Sequence, residues 1–157
     1  MDTAYALLFD NQLLVAAALG AVIGLEREIA GKDPSLRTFA LISLGSCIFA
    51  MLSKSSVEGH PAGDPSRIAA QIIAGIGFIG AGTIFRSSQR ISGLTTAALM
   101  WTTAGIGMAV GFHEWHLAVG ATLTALLITL ALNLVHQLLW VIRREPSPGE
   151  SKGERMP

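Results

Sequence analysis

Charged side chains are scarce in this chain, in which Asp, Glu, Lys and Arg together make up only 14% of the 157 residues. Soluble domains usually contain about 25% charged residues, so this composition does not fit a surface that faces water. The formal net charge is zero, which gives no reason to expect nucleic acid as a partner. Cysteine is nearly absent, and the single Cys47 excludes an internal disulfide.

Catalytic and cofactor motifs are missing as well. No short segment groups a nucleophile, a base and an orienting residue, and there is no P-loop, so we expect no enzyme. Gly75, Gly77 and Gly80 do spell the dinucleotide pattern G-x-G-x-x-G. That pattern requires a preceding strand and an acidic residue about 20 positions later, yet no Asp or Glu occurs between Asp64 and Glu114. These glycines therefore indicate helix packing and no bound cofactor.

Long apolar segments make up much of the remaining sequence, which is 51% hydrophobic. The segment from Ile68 to Phe85 has no charged residue, and as a helix it is long enough to cross a hydrocarbon core of about 30 Å. Rows of small residues allow close approach of a second helix in lipid. We expect this segment to be the central helix of a bundle, packed through Ala70, Ala74, Gly75, Gly77, Ala81 and Gly82.

Turn signals divide the chain into five apolar segments. The predicted helices cover residues 3–25, 35–53, 66–85, 94–112 and 116–142. Asp33 and Asp64 each precede a Pro-Ser pair and are expected to cap the second and third helices. The start of the chain lacks the positive charge of a cleaved signal peptide, so the first segment is expected to remain. The sequence predicts an all-α integral membrane protein, with about five transmembrane helices over residues 1–142 and a disordered polar tail over residues 143–157.

Basic residues are distributed unevenly between the predicted loops. With the N-terminus outside and the C-terminus in the cytoplasm, nine of the eleven basic residues are cytoplasmic, and only Lys54 and Arg67 are outside. The positive-inside rule favours this orientation. The outer side then carries five acidic residues, which are Asp2, Asp10, Glu58, Asp64 and Glu114. In one interpretation, this acidic rim attracts divalent cations. In the other, the outer side is acidic only because the basic residues are concentrated on the cytoplasmic side.

Two polar groups stand at predicted helix ends. The first group, near the cytoplasmic face, comprises Glu26, Arg27 and Arg37, and the second, near the outer face, comprises Asp64, Arg67 and Gln71. Such groups bridge neighbouring helices or line a small polar pocket, although charges at helix ends more often act as anchors or caps. Asp64 is a candidate metal ligand as well as a cap. Gln71 lies inside the apolar segment and needs a polar partner, for which Arg67 is four residues away.

The segment from His113 to His116 contains two imidazoles and a carboxylate, which are ordinary metal ligands. Its spacing is not the H-E-x-x-H of zinc hydrolases. We therefore expect these residues to form an interface loop, with Trp115 as a headgroup anchor.

Several sequence blocks also carry a resemblance to a known family. In order, they are GLERE at 24–28, LRT at 36–38, DPSRIAAQ at 64–71, GIGFIGAG at 75–82 and GLTTAA at 93–98. Over about Leu13 to Asn133 the chain resembles the MgtC/SapB family of bacterial inner-membrane proteins. The resemblance implies a role in growth at low magnesium and, in pathogens, in survival inside host cells. It also implies regulation of other membrane machinery, with F-type ATP synthase among the proposed targets.

The chain departs from this family pattern in three places. Longer members continue into a cytoplasmic regulatory domain, whereas this sequence ends at Pro157 and resembles a short form. Phe39 stands where many relatives have histidine, and Ser92 stands where arginine is common.

Two classes of function stay open after the sequence has been read. The first is a regulatory or interaction protein that forms a homo-oligomer or docks on another inner-membrane complex. The second is a transporter or channel for magnesium or another cation, in which case Mg²⁺ is a ligand or the transported ion. The first is favoured because a divalent carrier normally places carboxylates near the membrane midplane, and only Asp10 is a candidate for that position.

Overall fold

The computed structural model describes residues 11–58, 63–88 and 90–143. Within these residues the fold consists of five helices and one short β-ribbon. The helices are α1 (Asn11–Ile29), α2 (Leu36–Val57), α3 (Ser66–Ala81), α4 (Leu94–Gly111) and α5 (Trp115–Arg143), and the strands are β1 (Phe85–Arg86) and β2 (Ile91–Ser92). The predicted helical class is confirmed, and the described residues contain five helices. Asp10 and the tail beyond residue 143 lie outside the described residues.

Three of these helices are long and apolar enough to cross a membrane. They are α2, α4 and the part of α5 from Trp115 to Leu139. The helix α3 is apolar but has only 16 residues. The last turns of α1 contain Glu26, Arg27 and Glu28, which the prediction had placed beyond the end of that helix. The chain is thus a multi-pass membrane protein by helix length and composition, and its orientation stays a prediction.

The chain divides into two compact units, Met1–Leu126 and Leu127–Pro157. The first unit holds α1 to α4 and the first part of α5, and its buried core includes Ala16, Ile23, Phe39, Met100 and Val110. In the second unit the described backbone, residues 127–143, is helical. Its exposed side chains are mainly leucine, as at Leu127, Leu130 and Leu134.

Glycine allows α1, α2 and α4 to pack closely in the first unit. A Cβ atom added at Gly20 of α1 would lie 2.5 Å from the Phe39 carbonyl oxygen of α2. A Cβ at Gly107 of α4 would lie 2.1 Å from the Ser43 carbonyl oxygen of α2. Gly24 and Gly111 make similarly close approaches to α2. The pair Gly20 and Gly24 therefore marks a helix interface.

The helix α3 lies at the edge of this unit, so the prediction of a central helix is wrong. Only Ile76 and Gly80 of α3 are buried, where the helix packs on α4. The six small residues expected to pack are all exposed: Ala70, Ala74, Gly75, Gly77, Ala81 and Gly82. A Cβ at Gly75 or Gly77 would meet no atom within 4 Å. Small residues permit close packing, but they do not determine which helix supplies the contact.

A β-ribbon replaces the end of the predicted third helix and the polar turn after it. Phe85 pairs with Ser92, and Arg86 pairs with Ile91, in antiparallel register. The following Gly93 has a φ of 87°, and a Cβ there would lie 1.9 Å from the Thr83 carbonyl oxygen. Only glycine fits this position, because L-residues rarely adopt positive φ and no space remains for a side chain.

Candidate functional site

Glu26 and Arg27 form a buried ion pair near the end of α1. The guanidinium donates twice to the carboxylate, from Nε to Oε2 and from Nη2 to Oε1, each at 2.5 Å. The side chains are 8% and 5% exposed, respectively. A bidentate pair satisfies both charges locally and is the form in which opposite charges are best tolerated away from water. These two predicted site residues are brought together.

Arg37 does not join that pair. It is exposed on the first turn of α2 and makes no hydrogen bond or ion pair with a described residue. The start of α2 is instead held by Glu28, whose Oε2 accepts the Leu36 N–H at 3.2 Å. The predicted cap, Asp33, acts through its main chain, because the Thr96 hydroxyl donates to its carbonyl oxygen at 3.3 Å. The cap of α2 therefore comes from the preceding helix.

Asp64 is engaged at the start of α3. Its Oδ1 accepts the Ser66 hydroxyl at 2.6 Å and the Ser66 N–H at 2.9 Å. The hydrogen bond from the Ser66 side chain has the largest effect on the Asp64 carboxyl and lowers its pKa below the usual value. The hydrogen bond from the Ser66 main chain and the charge of Arg67 lower this pKa further. The carboxylate therefore supports the helix start, as its predicted capping role requires. Its role as a metal ligand stays a prediction.

Arg67 and Gln71 follow Asp64 on the exposed side of α3. Both side chains are exposed, and neither makes a hydrogen bond with a described residue. The predicted contact between Arg67 and Gln71 is thus not formed. Gln71 lines a groove of about 740 Å³ between α2 and α3, together with Thr38, Gly45, Ser46, Gly75 and eight apolar residues. No charged side chain lines this groove.

A smaller cavity of about 270 Å³ lies between α3, α4 and the start of α5. It is lined by Ile73, Trp101, Thr102, Gly105 and Leu117, among others, and none of its lining residues is charged. Within the described ranges, no three His, Cys, Asp or Glu side chains come together in a group that could hold a metal ion.

The structure contains a long-range polar contact that the sequence pattern did not indicate. The Gln12 side-chain amide of α1 contacts the His113 ring at the turn between α4 and α5, 3.1 Å from Nδ1. Gln12 is 5% exposed, and His113 has a positive φ of 67° and stacks edge-on against Trp115 at 6.1 Å. Residues His113 to Trp115 thus connect helices across the fold. No local pattern indicates a contact between residues 101 positions apart.

Comparison with known proteins places the chain in a family. The MgtC family model matches residues 13–138. An Escherichia coli K12 protein named "Putative magnesium transporter YhiD" is 44% identical over 135 residues, which are 83% of this chain and 61% of that protein. Protein MgtC of Salmonella typhimurium LT2 is 40% identical over 143 residues, which are 91% of this chain and 58% of that protein.

The matched region is only part of these relatives. An uncharacterized protein of Haemophilus influenzae is 41% identical over 145 residues, which are 88% of this chain and 60% of that protein. The chain thus spans about three fifths of the length of the curated relatives it matches. No solved structure matches the chain significantly. The family model covers most of the sequence, and the relatives share at least 40% identity, so the chain belongs to the MgtC family.

Proposed function

We propose that this protein is a non-enzymatic component of the bacterial inner membrane that supports adaptation to low magnesium by regulating other membrane machinery. The N-terminus is outside and the C-terminus is cytoplasmic in this proposal, as the distribution of basic residues indicates. The family resemblance makes F-type ATP synthase the first partner to test. The link to magnesium is supported by the name of the relative from E. coli, a putative magnesium transporter.

One observation favours a regulatory role over cation transport. The groove between α2 and α3 is lined by apolar and uncharged polar residues alone. A path for a divalent cation needs oxygen ligands and compensating charge, since a charge in an apolar medium is costly. The buried Glu26 carboxylate is neutralised by its bidentate contact with Arg27 and lines neither cavity. A groove of this kind suits an apolar helix better than an ion.

Transport of magnesium or another cation is the second candidate function. It is favoured by Asp64, an exposed carboxylate at the start of α3, and by the name of the YhiD relative. In this alternative Mg²⁺ is the transported ion, and Asp64 is the residue that meets it first.

Flux measurements separate the two functions. Purified protein is placed in liposomes that contain a magnesium-sensitive dye, and uptake is followed under an imposed membrane potential. We expect no uptake above that of empty liposomes. Saturable uptake that is lost in Asp64→Ala but kept in the matched Glu114→Ala variant would contradict the regulatory proposal and establish transport.

Growth at low magnesium and co-purification test the regulatory role directly. Cells that depend on this protein are grown at low magnesium with the wild type or with Arg67→Ala and Gln71→Ala variants, at equal protein level. F-type ATP synthase is then sought after chemical cross-linking. Growth that is unchanged in both variants would show that Arg67 and Gln71 are not needed for function. Absence of the synthase from the cross-linked fraction would exclude it as the partner.

A further inference from the structure

The β-ribbon carries two basic residues that differ from all others in the sequence. Every other Lys or Arg has an Asp or Glu within four positions, whereas Arg86 and Arg90 lie between Asp64 and Glu114, where no acidic residue occurs. Both arginine side chains are exposed, and neither forms an ion pair or a side-chain hydrogen bond with a described residue. The ribbon therefore holds two positive charges that the described part of the chain does not neutralise.

The ribbon lies beside the membrane because it is joined directly to a membrane-spanning helix. The helix α4 begins at Leu94, two residues after β2 ends at Ser92. Its 18 residues have a length of about 27 Å, which is close to the thickness of a hydrocarbon core, about 30 Å. The first turn of α4 is therefore at an edge of the hydrocarbon core, and the ribbon before it lies at the level of the lipid headgroups.

A second turn at the same end of α4 has balanced charges. The Thr96 hydroxyl of α4 donates to the Asp33 carbonyl oxygen at 3.3 Å, which places the turn between α1 and α2 at this end. The residues in and next to that turn include three acids and three bases, which are Glu26, Glu28, Asp33, Arg27, Lys32 and Arg37. Of the two turns, only the ribbon has an excess of positive charge.

Large apolar side chains accompany the two arginines. Phe85 is 69% exposed and Ile91 is 57% exposed. Phe85 pairs with Ser92, and Arg86 pairs with Ile91, so the two apolar side chains lie on opposite faces of the ribbon. In water these side chains would be unfavourably hydrated. Segments that lie in the membrane interface combine such apolar side chains with basic ones, because the first enter the acyl boundary while the second reach the headgroups.

The ribbon is fixed at both ends. At its base, the Thr83 hydroxyl donates to the Gly80 carbonyl oxygen at 2.8 Å, and the Thr83 carbonyl lies against Gly93, where no side chain fits. At the other end, the Ser87 N–H donates to the Arg90 carbonyl oxygen at 2.9 Å, and the Ser87 hydroxyl accepts the Arg90 N–H at 3.2 Å. A ligand that binds such a closed ribbon has little backbone to order, which favours binding.

We propose that the β-ribbon binds the phosphate of an anionic phospholipid, with Arg86 and Arg90 as its cationic ligands and with Phe85 and Ile91 in the acyl boundary. Guanidinium groups match the geometry of phosphate oxygens and keep their charge. A lipid is favoured over a soluble anion because the ribbon lies at headgroup level and exposes apolar side chains there. In the orientation proposed above, the lipid belongs to the cytoplasmic leaflet, which carries anionic headgroups. This lipid site goes beyond the regulatory role and does not depend on it.

Native mass spectrometry of the full chain tests the lipid site. Purified protein in detergent receives equal amounts of phosphatidylglycerol, which is anionic, and phosphatidylcholine, which is zwitterionic. We expect the wild type to retain phosphatidylglycerol preferentially. Arg86→Gln combined with Arg90→Gln should weaken phosphatidylglycerol binding by about 25-fold, or about fivefold for each arginine.

The matched control is Arg67→Gln, which removes an exposed arginine that has Asp64 three residues before it. We expect this variant to bind phosphatidylglycerol nearly as well as the wild type does. Equal retention of the two lipids by the wild type, or an equal loss in the Arg67 variant and the double variant, would overturn the proposal.

Two further measurements separate charge from structure and lipid from free phosphate. Arg86→Lys combined with Arg90→Lys keeps both charges and should retain most of the phosphatidylglycerol binding, whereas a loss as large as that of the double glutamine variant would overturn the proposal. Glycerol 3-phosphate, added at the same concentration as the lipid, should not displace phosphatidylglycerol. Displacement would show that the ribbon binds a soluble phosphate and would contradict the lipid site.

Photocross-linking in native membranes identifies what covers the ribbon in the cell. A photoreactive residue at Phe85 should give a product with the added mass of an anionic phospholipid, and the yield of this product should fall when Arg86 and Arg90 are both replaced by glutamine. A product with another protein, or a lipid product whose yield does not depend on the arginines, would overturn the proposal.

Discussion

Two regions of the first unit use the same small residues in opposite ways. Where α1, α2 and α4 meet, the close approach of backbones leaves no room for a side chain at Gly20, Gly24 or Gly107. On α3, the space beside Gly75 and Gly77 is open. The glycines in the first region therefore hold this fold together, whereas those of α3 are available for a contact that the single chain does not make. Substitutions at matched positions test this difference.

The largest expected effect comes from the buried ion pair of the α1, α2 and α4 region. Replacement of Arg27 by Met leaves the Glu26 carboxylate without its bidentate partner, and we expect a loss of about 4 kcal/mol in unfolding free energy. The matched change on α3, Arg67→Met, removes an exposed charge and should cost less than about 1 kcal/mol. Unfolding of the purified protein by SDS titration in detergent, followed by circular dichroism, measures both. Equal losses would show that burial does not distinguish the two arginines.

The next effect concerns glycine. Gly107→Ala forces α2 and α4 apart, because the new methyl group would meet the Ser43 carbonyl, and we expect a loss of about 3 kcal/mol. Gly77→Ala on α3 meets no neighbour and should stabilise the helix by about 0.5 to 1 kcal/mol, since alanine is the better helix former. The same detergent titration applies. A destabilised Gly77→Ala variant would mean that this position is packed and would contradict the open space beside it.

A smaller effect is expected at Ser43, which is fully buried between these helices. Its hydroxyl has no hydrogen-bond partner among the described residues. Replacement by alanine removes a polar group that is not compensated and should raise the unfolding free energy by about 1 kcal/mol. Thr103→Val is the matched control, because the Thr103 hydroxyl donates to the Leu99 carbonyl at 2.7 Å. If Ser43→Ala is the more destabilising of the two, the Ser43 hydroxyl is hydrogen-bonded in the folded protein, which would contradict this prediction.

The smallest expected effect is a pH dependence at the start of α3. The lowered pKa of Asp64 in the folded protein means that its contribution to stability is present above its unfolded pKa and is lost as pH falls through the folded pKa. The loss should therefore begin below about pH 4. Asp64→Asn should remove this part of the acid sensitivity by lowering the stability at neutral pH slightly, to the level that the wild type has in acid. Unfolding midpoints of both proteins across pH 3 to 7 measure the difference, and identical acid profiles would contradict it.

The sequence was sufficient to place the helices but not to assign their neighbours. Long uncharged segments bounded by turn residues identify α2, α4 and α5, because hydrophobic length is a local property. Gly20 and Gly24 are spaced by four residues on one helix face, and both lie at the close contact with α2. The small residues of α3 gave the same signal, and the helix proved peripheral. Spacing shows that a face can pack, whereas the identity of the packed partner depends on the whole fold.

The candidate site was predictable to a similar extent. Glu26 and Arg27 are adjacent in sequence and pair in the fold, and Asp64 accepts the hydrogen bonds that start α3. Arg37 stands apart, and the contact between Gln12 and His113 joins residues too distant for any local pattern. The β-ribbon was also missed, because two-residue strands leave no periodicity to detect.

The buried position of Cys47 has a practical consequence. Its thiol is 0% exposed in α2, close to the Met51 sulfur and the Gln12 carbonyl oxygen. A water-soluble alkylating reagent can therefore modify this thiol only when α2 separates from its neighbours. Because Cys47 is the only thiol in the sequence, its rate of alkylation in intact membranes measures how often the packed helices open.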